Sequence, residues 1–198
     1  CSLPQGLPIL LHMGGVGQEK PLERVIDAIA ACGPPVYFLA FCNGPGEKLR
    51  ELEAYATERL VEGRFHLTGP RKRDELLASA WEADLGVIDY SYSVQPSSNQ
   101  RYCAPTKLYE FMALGLAVAG SNNDSLREVI EAENIGYCAE GESPEDLGRA
   151  IERTVSGSEQ LKERKERSQR AFRERHCYER ICNGVVEEMS KRLTAGAT

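Results

Sequence analysis

The sequence predicts an α/β fold, a doubly wound parallel sheet with helices on both faces, followed by a C-terminal helical tail. Three observations predict it. Between Pro8 and Val155, short apolar runs alternate with helical segments of about ten residues, the pattern of strand–helix crossover units. Two of the runs end in turns rich in glycine or polar residues, Gly14, Gly15 and Gly17 after the first and Ser91 to Ala104 after the fourth. Such turns suit the carboxyl ends of strands, where open α/β sheets hold their ligands. Third, PTKLYEFMALGLAVA, from Pro105 to Ala119, reads as a short helix opened by Pro105, a Gly115 stop and an apolar strand from Leu116 to Ala119.

The elements follow in order. PILLHM, Pro8 to Met13, is a buried strand. Leu22, Val25, Ile26 and Ile29 recur at helical spacing, so a helix starting at Pro21 fits. Val36 to Phe41 is a strand, Gly46 to Leu60 a helix, Arg64 to Leu67 a strand and Arg73 to Ala83 a helix. Asp84 to Tyr90, with the buried-looking LGVI, makes the fourth strand, and Leu116 begins the fifth. Ser125 to Glu133 is a helix, Gly136 to Ala139 a short strand, and Pro144 to Val155 a helix capped by Ser143. From Ser158 to Leu193 the sequence becomes long, charged and helical, interrupted near His176, with no strand left to pair. Residues 1–157 therefore form the sheet domain and 158–198 helices that pack outside it.

Composition bounds the function. With 198 residues one core is expected, and 41% hydrophobic with 27% charged residues is the soluble globular range. No apolar stretch approaches the roughly 18 residues of a membrane-spanning helix. The N-terminus, CSLPQGLPILLHMGG, has no basic leading segment and no initiator Met, so it reads as a chain cut from something longer rather than a signal peptide. A net charge of −6 excludes a general nucleic-acid binder, which draws affinity from Lys and Arg on phosphates. Leu161 to Arg175 is locally basic. The simplest account is a solvated helix face; the alternative is peripheral contact with an acidic membrane surface or a phosphorylated partner. Seven cysteines without C-x-x-C spacing fit buried thiols in a reducing cytoplasm, and the three histidines lie far apart, so no metal site is expected.

The helix opened by Pro105 carries the chemistry. Helix starts present backbone N–H groups and positive dipole potential, a seat for phosphate. Lys107 and Glu110 share one face, while Leu108, Phe111 and Met112 point to a core. Side chains lean toward the N-terminus of their helix, so the Glu110 carboxylate hangs toward the loop. The plainer alternative for this pair is a surface ion pair worth about a few tenths of a kcal/mol. His12, near a strand end, reads as a core histidine.

Pro105 to Ala119 resembles the P-x-K-(L)-(F/Y)-E-(F/Y)-M-A-x-G-x-(P/A)-V segment of GT-B type glycosyltransferases, especially glycosyltransferase family 4. GGVGQEKPLERVIDAIA resembles that family's glycine-rich donor loop and helix, and LREVIEAENIGYC its next helix and strand. The match runs from Leu10 to the terminal helices and covers only the C-terminal, Rossmann-like, nucleotide-sugar-binding half of the two-domain fold. The resemblance implies that Glu110 hydrogen-bonds the ribose. It places the amides of Ala104, Pro105, Thr106 and Lys107, with the Lys107 ammonium, at the diphosphate, lets Gly14 and Gly15 admit the donor, puts Lys20 at the diphosphate, and lays Gly69, Pro70 and Arg71 along the base. Of these four positions Pro105 has no N–H and contributes only its place in the chain.

Two departures stand out. Where many relatives carry a second Glu, eight residues before Glu110, this chain has Tyr102; where many carry an Arg beside the glycine loop, it has Gly15 and Val16. The resemblance implies a glycosyltransferase donor domain that transfers sugar from a UDP- or GDP-type nucleotide sugar to an unidentified acceptor, with retention and without metal or cofactor. The leaving diphosphate would be stabilised by fixed donors, and an N-terminal GT-B domain would complete the site. The alternatives are a non-catalytic nucleotide-binding or scaffold module of the same fold, and a GT-B sugar-nucleotide epimerase.

Overall fold

Strand order reverses at β1, and everything relevant to the site hangs on that reversal. The computed structural model of the chain describes residues 6–16, 22–90 and 105–195. The parallel sheet comprises β1 (Ile9–Gly15), β2 (Tyr37–Asn43), β3 (Phe65–Thr68), β4 (Leu85–Ile88), β5 (Ala117–Gly120) and β6 (Gly136–Cys138), in the order β3-β2-β1-β4-β5-β6. The helices are α1 (Leu22–Ala31), α2 (Gly46–Arg59), α3 (Arg73–Ala80), α4 (Thr106–Ala113), α5 (Asp124–Ala132), α6 (Pro144–Val155), α7 (Ser158–Ala171) and α8 (Tyr178–Ala195). A π-helical turn, Phe172–His176, separates α7 from α8. The chain winds outward from β1 through β2 to β3, then crosses back to β4 on the other side of β1, leaving a crevice between the carboxyl ends of β1 and β4.

Alternation along each strand divides the core between the two faces. Leu10, Phe38, Ala40, Leu85 and Val87 meet Val25, Ile26, Ile29, Leu147 and Ile151 on one face. Leu11, Met13, Leu39, Phe41 and Val118 meet Leu108, Phe111, Met112, Leu126 and Ile130 on the other. The runs that read as uninterrupted apolar sequence are the strands buried on both sides, β4 and β5 fully so. Gly86 in β4 makes room for α4: a Cβ there would lie 2.5 Å from Phe111 Cγ, so the ring lies flush on the sheet.

The expected architecture is the observed one, with small shifts. Pro105 stands just ahead of α4 rather than inside it, at φ −69° and ψ 135°. Gly115 closes the helix at φ 70°, with the Leu116 amide donating to Phe111 O and the Gly115 amide to Met112 O, both 3.0 Å, the two-bond helix stop that glycine permits. Helix α3 ends at Ala80 rather than Ala83, and β4 spans only Leu85–Ile88. Ser143 caps α6 as expected, and the cap is a reciprocal box with Asp146. The Pro21 helix start and the Ser91–Ala104 loop lie outside the described residues.

The tail returns to the domain through α7. Lys165 Nζ donates to Asp84 Oδ1 at 2.8 Å and Ala83 O at 3.1 Å. At the π-helical turn, Arg175 and His176 both reach Glu133 at the end of α5, and the His176 ring lies 5.7 Å from that of Tyr109 on α4. Beyond it, Tyr178, Ile181, Val185, Val186, Met189 and Leu193 of α8 stand exposed. Among the described residues no helix is long and apolar enough to cross a membrane.

Candidate functional site

The crevice between β1 and β4 is floored by the strand ends and walled by the start of α4. The first helical bond of α4 runs from the Leu108 amide to Pro105 O, 2.9 Å, so the amides ahead of it lie outside the ladder at the positive end of the helix dipole. Lys107 extends from this first turn across the end of β1. A Cβ on Gly14 would lie 2.7 Å from Lys107 Cε, would collide with Nζ, and would lie 3.8 Å from His12 Nε2. Gly14 also holds φ 153°, a conformation side chains disfavour, so both backbone and space call for glycine. The lysine charge reaches β2: burial pushes the Cys42 thiol up to about 11, and the Lys107 ammonium pulls against that rise.

A slot of about 20 Å³ opens here, lined by His12, Gly15, Asp89, Tyr90 and Lys107. It holds about one water, so a larger ligand would lie across its mouth. Arg24 of α1 and Asp89 after β4 lock its side wall. Arg24 Nε donates to both Asp89 oxygens, at 3.2 and 3.0 Å, with the two side chains only 8% and 7% exposed. The Tyr90 amide donates to Ser121 Oγ at 2.8 Å, fixing where the chain leaves β4 for the following loop.

Glu110 takes a different direction from Lys107. Its carboxylate, 32% exposed, accepts from Arg73 Nη1 at 3.1 Å, the first residue of α3. Gly69, Pro70 and Arg71 lead into that same helix from β3, and Arg71 Nε donates to Thr68 Oγ1 at 3.3 Å. Beside them a cavity of about 360 Å³ is lined by His66, Thr68, Arg71 and Glu75. The predicted residues thus fall into two groups. Lys107 joins Gly14 and Gly15, and Glu110 joins α3 through Arg73. Lys20, Ala104 and Tyr102 lie outside the described residues.

Arg73, Arg24 and Asp89 were not singled out in the sequence. Arg73 stands two residues beyond Arg71 in a run of charged residues, and the run hides which cation meets Glu110. Arg24 occupies a position between apolar Leu22 and Val25 on the buried face of α1, which is the one local signal that it has a partner. Among the described residues no group of three or more His, Cys, Asp or Glu could hold a metal ion.

Residues 2–172 match the family model described as Glycosyl transferases group 1. Anabaena HepE, solved with UDP and glucose, superposes with a TM-score of 0.72 at 19% identity, over 93% of this chain and 48% of that one. Sucrose-phosphate synthase from Thermosynechococcus elongatus superposes with a TM-score of 0.73 at 19% identity, over 98% and 47%. The catalytic domain of cholesterol-alpha-glucosyltransferase from Helicobacter pylori does so at 0.60 and 15% identity, over 83% and 96%. The chain spans about half the length of the first two structures. No curated protein matches it. Likenesses at such identities establish the fold, a GT-B Rossmann-like domain, and the match over residues 2–172 establishes the family: the chain belongs to the group 1 glycosyl transferases.

Proposed function

We propose that the chain is the donor-binding domain of a family 4 GT-B glycosyltransferase, taking a nucleotide-diphosphate sugar of UDP or GDP type and transferring a hexose with retention. The observation that carries this reading is the convergence of Lys107, Gly14 and the amino end of α4 at the strand-order reversal. The diphosphate meets the helix start and the Lys107 ammonium, two sources of positive potential held on rigid elements. Gly14 makes room for the Lys107 side chain and Gly15 leaves the strand end without one, so the backbone there admits the donor closely. Glu110, held by Arg73, faces the ribose hydroxyls, and Gly69 to Arg71 run along the base. Lys20 and the Ala104 amide add to the diphosphate seat. Fixed donors around the departing diphosphate stabilise its developing charge, and no metal is required of this half. HepE, of similar fold, was solved with UDP and with UDP-glucose, which supports this ligand class.

The acceptor and the facing half of the cleft belong to an N-terminal domain, and this chain alone turns over little sugar. The exposed apolar side chains of α8 pack on that domain. The protein works in the cytoplasm, with peripheral membrane contact the alternative for its basic tail.

Calorimetric titration with UDP, GDP and their sugars tests the reading. Saturable binding of one pair, weakened at least roughly tenfold by Glu110→Ala, is expected; unchanged affinity in that variant removes the ribose role. Tyr102, standing where relatives carry a carboxylate, favours a second reading, a nucleotide-binding module without transfer activity. Absence of heat with every nucleotide would reduce it further, to a scaffold. Product analysis separates transfer from epimerisation.

A further inference from the structure

At the opposite end of the sheet from the donor seat, the amino-terminal ends of β1 and β4 and the last turn of α4 border a groove of about 670 Å³. That volume lies within the roughly 300–1,000 Å³ of ordinary ligand sites. The indole of Trp81, just past α3, stands beside it 65% exposed, and it is the chain's single tryptophan. A large ring displayed to solvent at the rim of a concave surface is an unusual use of the side chain that gains most from burial.

The charges lining the groove cancel. Lys162 and Lys165 contribute two positive charges, Asp84 and Glu166 two negative ones, and Lys165 is already committed to Asp84 at 2.8 Å. A phosphate or carboxylate ligand would find no surplus cation to pair with, and an acyl chain would strand the ammonium and carboxylate groups. What the lining offers is the flat apolar face of Trp81 over smaller apolar side chains, Leu7, Pro8, Leu114 and Leu161 among them, beside a donor, Lys162, an acceptor, Glu166, and an amide that serves as both, Gln169. The C–H face of a pyranose stacks on an indole, and its ring of hydroxyls needs donors and acceptors in mixed array without net charge.

We propose that this groove binds a neutral oligosaccharide, stacked on Trp81 and hydrogen-bonded by Lys162, Glu166 and Gln169, at a site separate from the donor seat. The proposal does not depend on the donor reading. It gives the chain a carbohydrate-binding surface at the end of the sheet opposite the strand-order reversal, suited to holding a glycan chain.

Trp81 is its own reporter. The chain is titrated with maltohexaose, cellohexaose and mannohexaose, following tryptophan emission with and without saturating UDP. A saturable emission shift with at least one of them, unchanged by UDP, is expected. By calorimetry, Trp81→Ala should weaken that saccharide at least roughly tenfold, Trp81→Phe should recover most of the loss, and Glu166→Ala should weaken it by a smaller factor. UDP titration of Trp81→Ala, expected to match the unsubstituted chain, keeps this test apart from that of the donor site. No saturable shift with any of the three, tighter binding of an oligogalacturonate than of all three, or equal saccharide affinity in Trp81→Ala would each overturn the proposal.

Discussion

Lys107 occupies the space that a side chain on Gly14 would need. The ammonium of α4's first turn and the bare end of β1 are therefore one feature, although 93 positions separate them, the difference between 107 and 14. Replacing Gly14 by Ala both forces a side chain into a disfavoured φ and displaces the lysine. A stability loss of about 1–2 kcal/mol is expected by urea denaturation. Nucleotide affinity should fall in parallel, whereas Gly63→Ala, at φ 76° with nothing within 4 Å, should lose stability alone.

The Arg24–Asp89 pair is buried on both sides, so removing one partner leaves a charge with no water to replace it. Asp89→Ala should cost about 3–5 kcal/mol in chemical denaturation. The double variant Arg24→Met/Asp89→Leu should recover much of that loss. Equal stability of Asp89→Ala and the unsubstituted chain would show that the pair is not desolvated.

Gly86 seats the site helix by admitting Phe111. Gly86→Ala should destabilise by about 1–3 kcal/mol through overpacking, and adding Phe111→Leu should relieve part of it. Lack of coupling between the two substitutions in a double-mutant cycle would refute the contact as the cause.

Glu133 links the fold to pH. The Arg175 guanidinium above all, and then the His176 ring, hold its carboxyl below the ordinary value of 4.5. The folded state therefore binds this proton less readily than the unfolded chain. Its stabilising share is fully present above pH 4.5 and is lost as pH falls through 4.5 and then through the lower folded value. Melting temperatures of Glu133→Gln and the unsubstituted chain should differ near neutrality and converge in acid; a gap that is constant with pH would contradict the assignment.

Much of the fold was legible because each local signal agreed with the next. The apolar runs are strands buried on both faces, Ser143 and Asp146 sit at capping-box spacing, and Gly115 stops α4 with its positive φ. The site was legible less evenly. Lys107 and Glu110 lie three apart on one helix, and sequence spacing gave no reason to separate them. Tertiary neighbours divided them, Gly14 receiving one and Arg73 the other. Arg24 and Asp89 are 65 positions apart and each is ordinary alone, so only the return of β4 beside β1 makes them a pair.

The central claim is that the amino end of α4 and its lysine hold a diphosphate against the end of β1. Calorimetric titration of UDP and GDP into the chain and into Lys107→Met tests it most directly. Saturable binding of one of them, reduced roughly ten- to hundredfold in Lys107→Met with an unchanged melting temperature, is the predicted result. Equal affinity in the two proteins would contradict it.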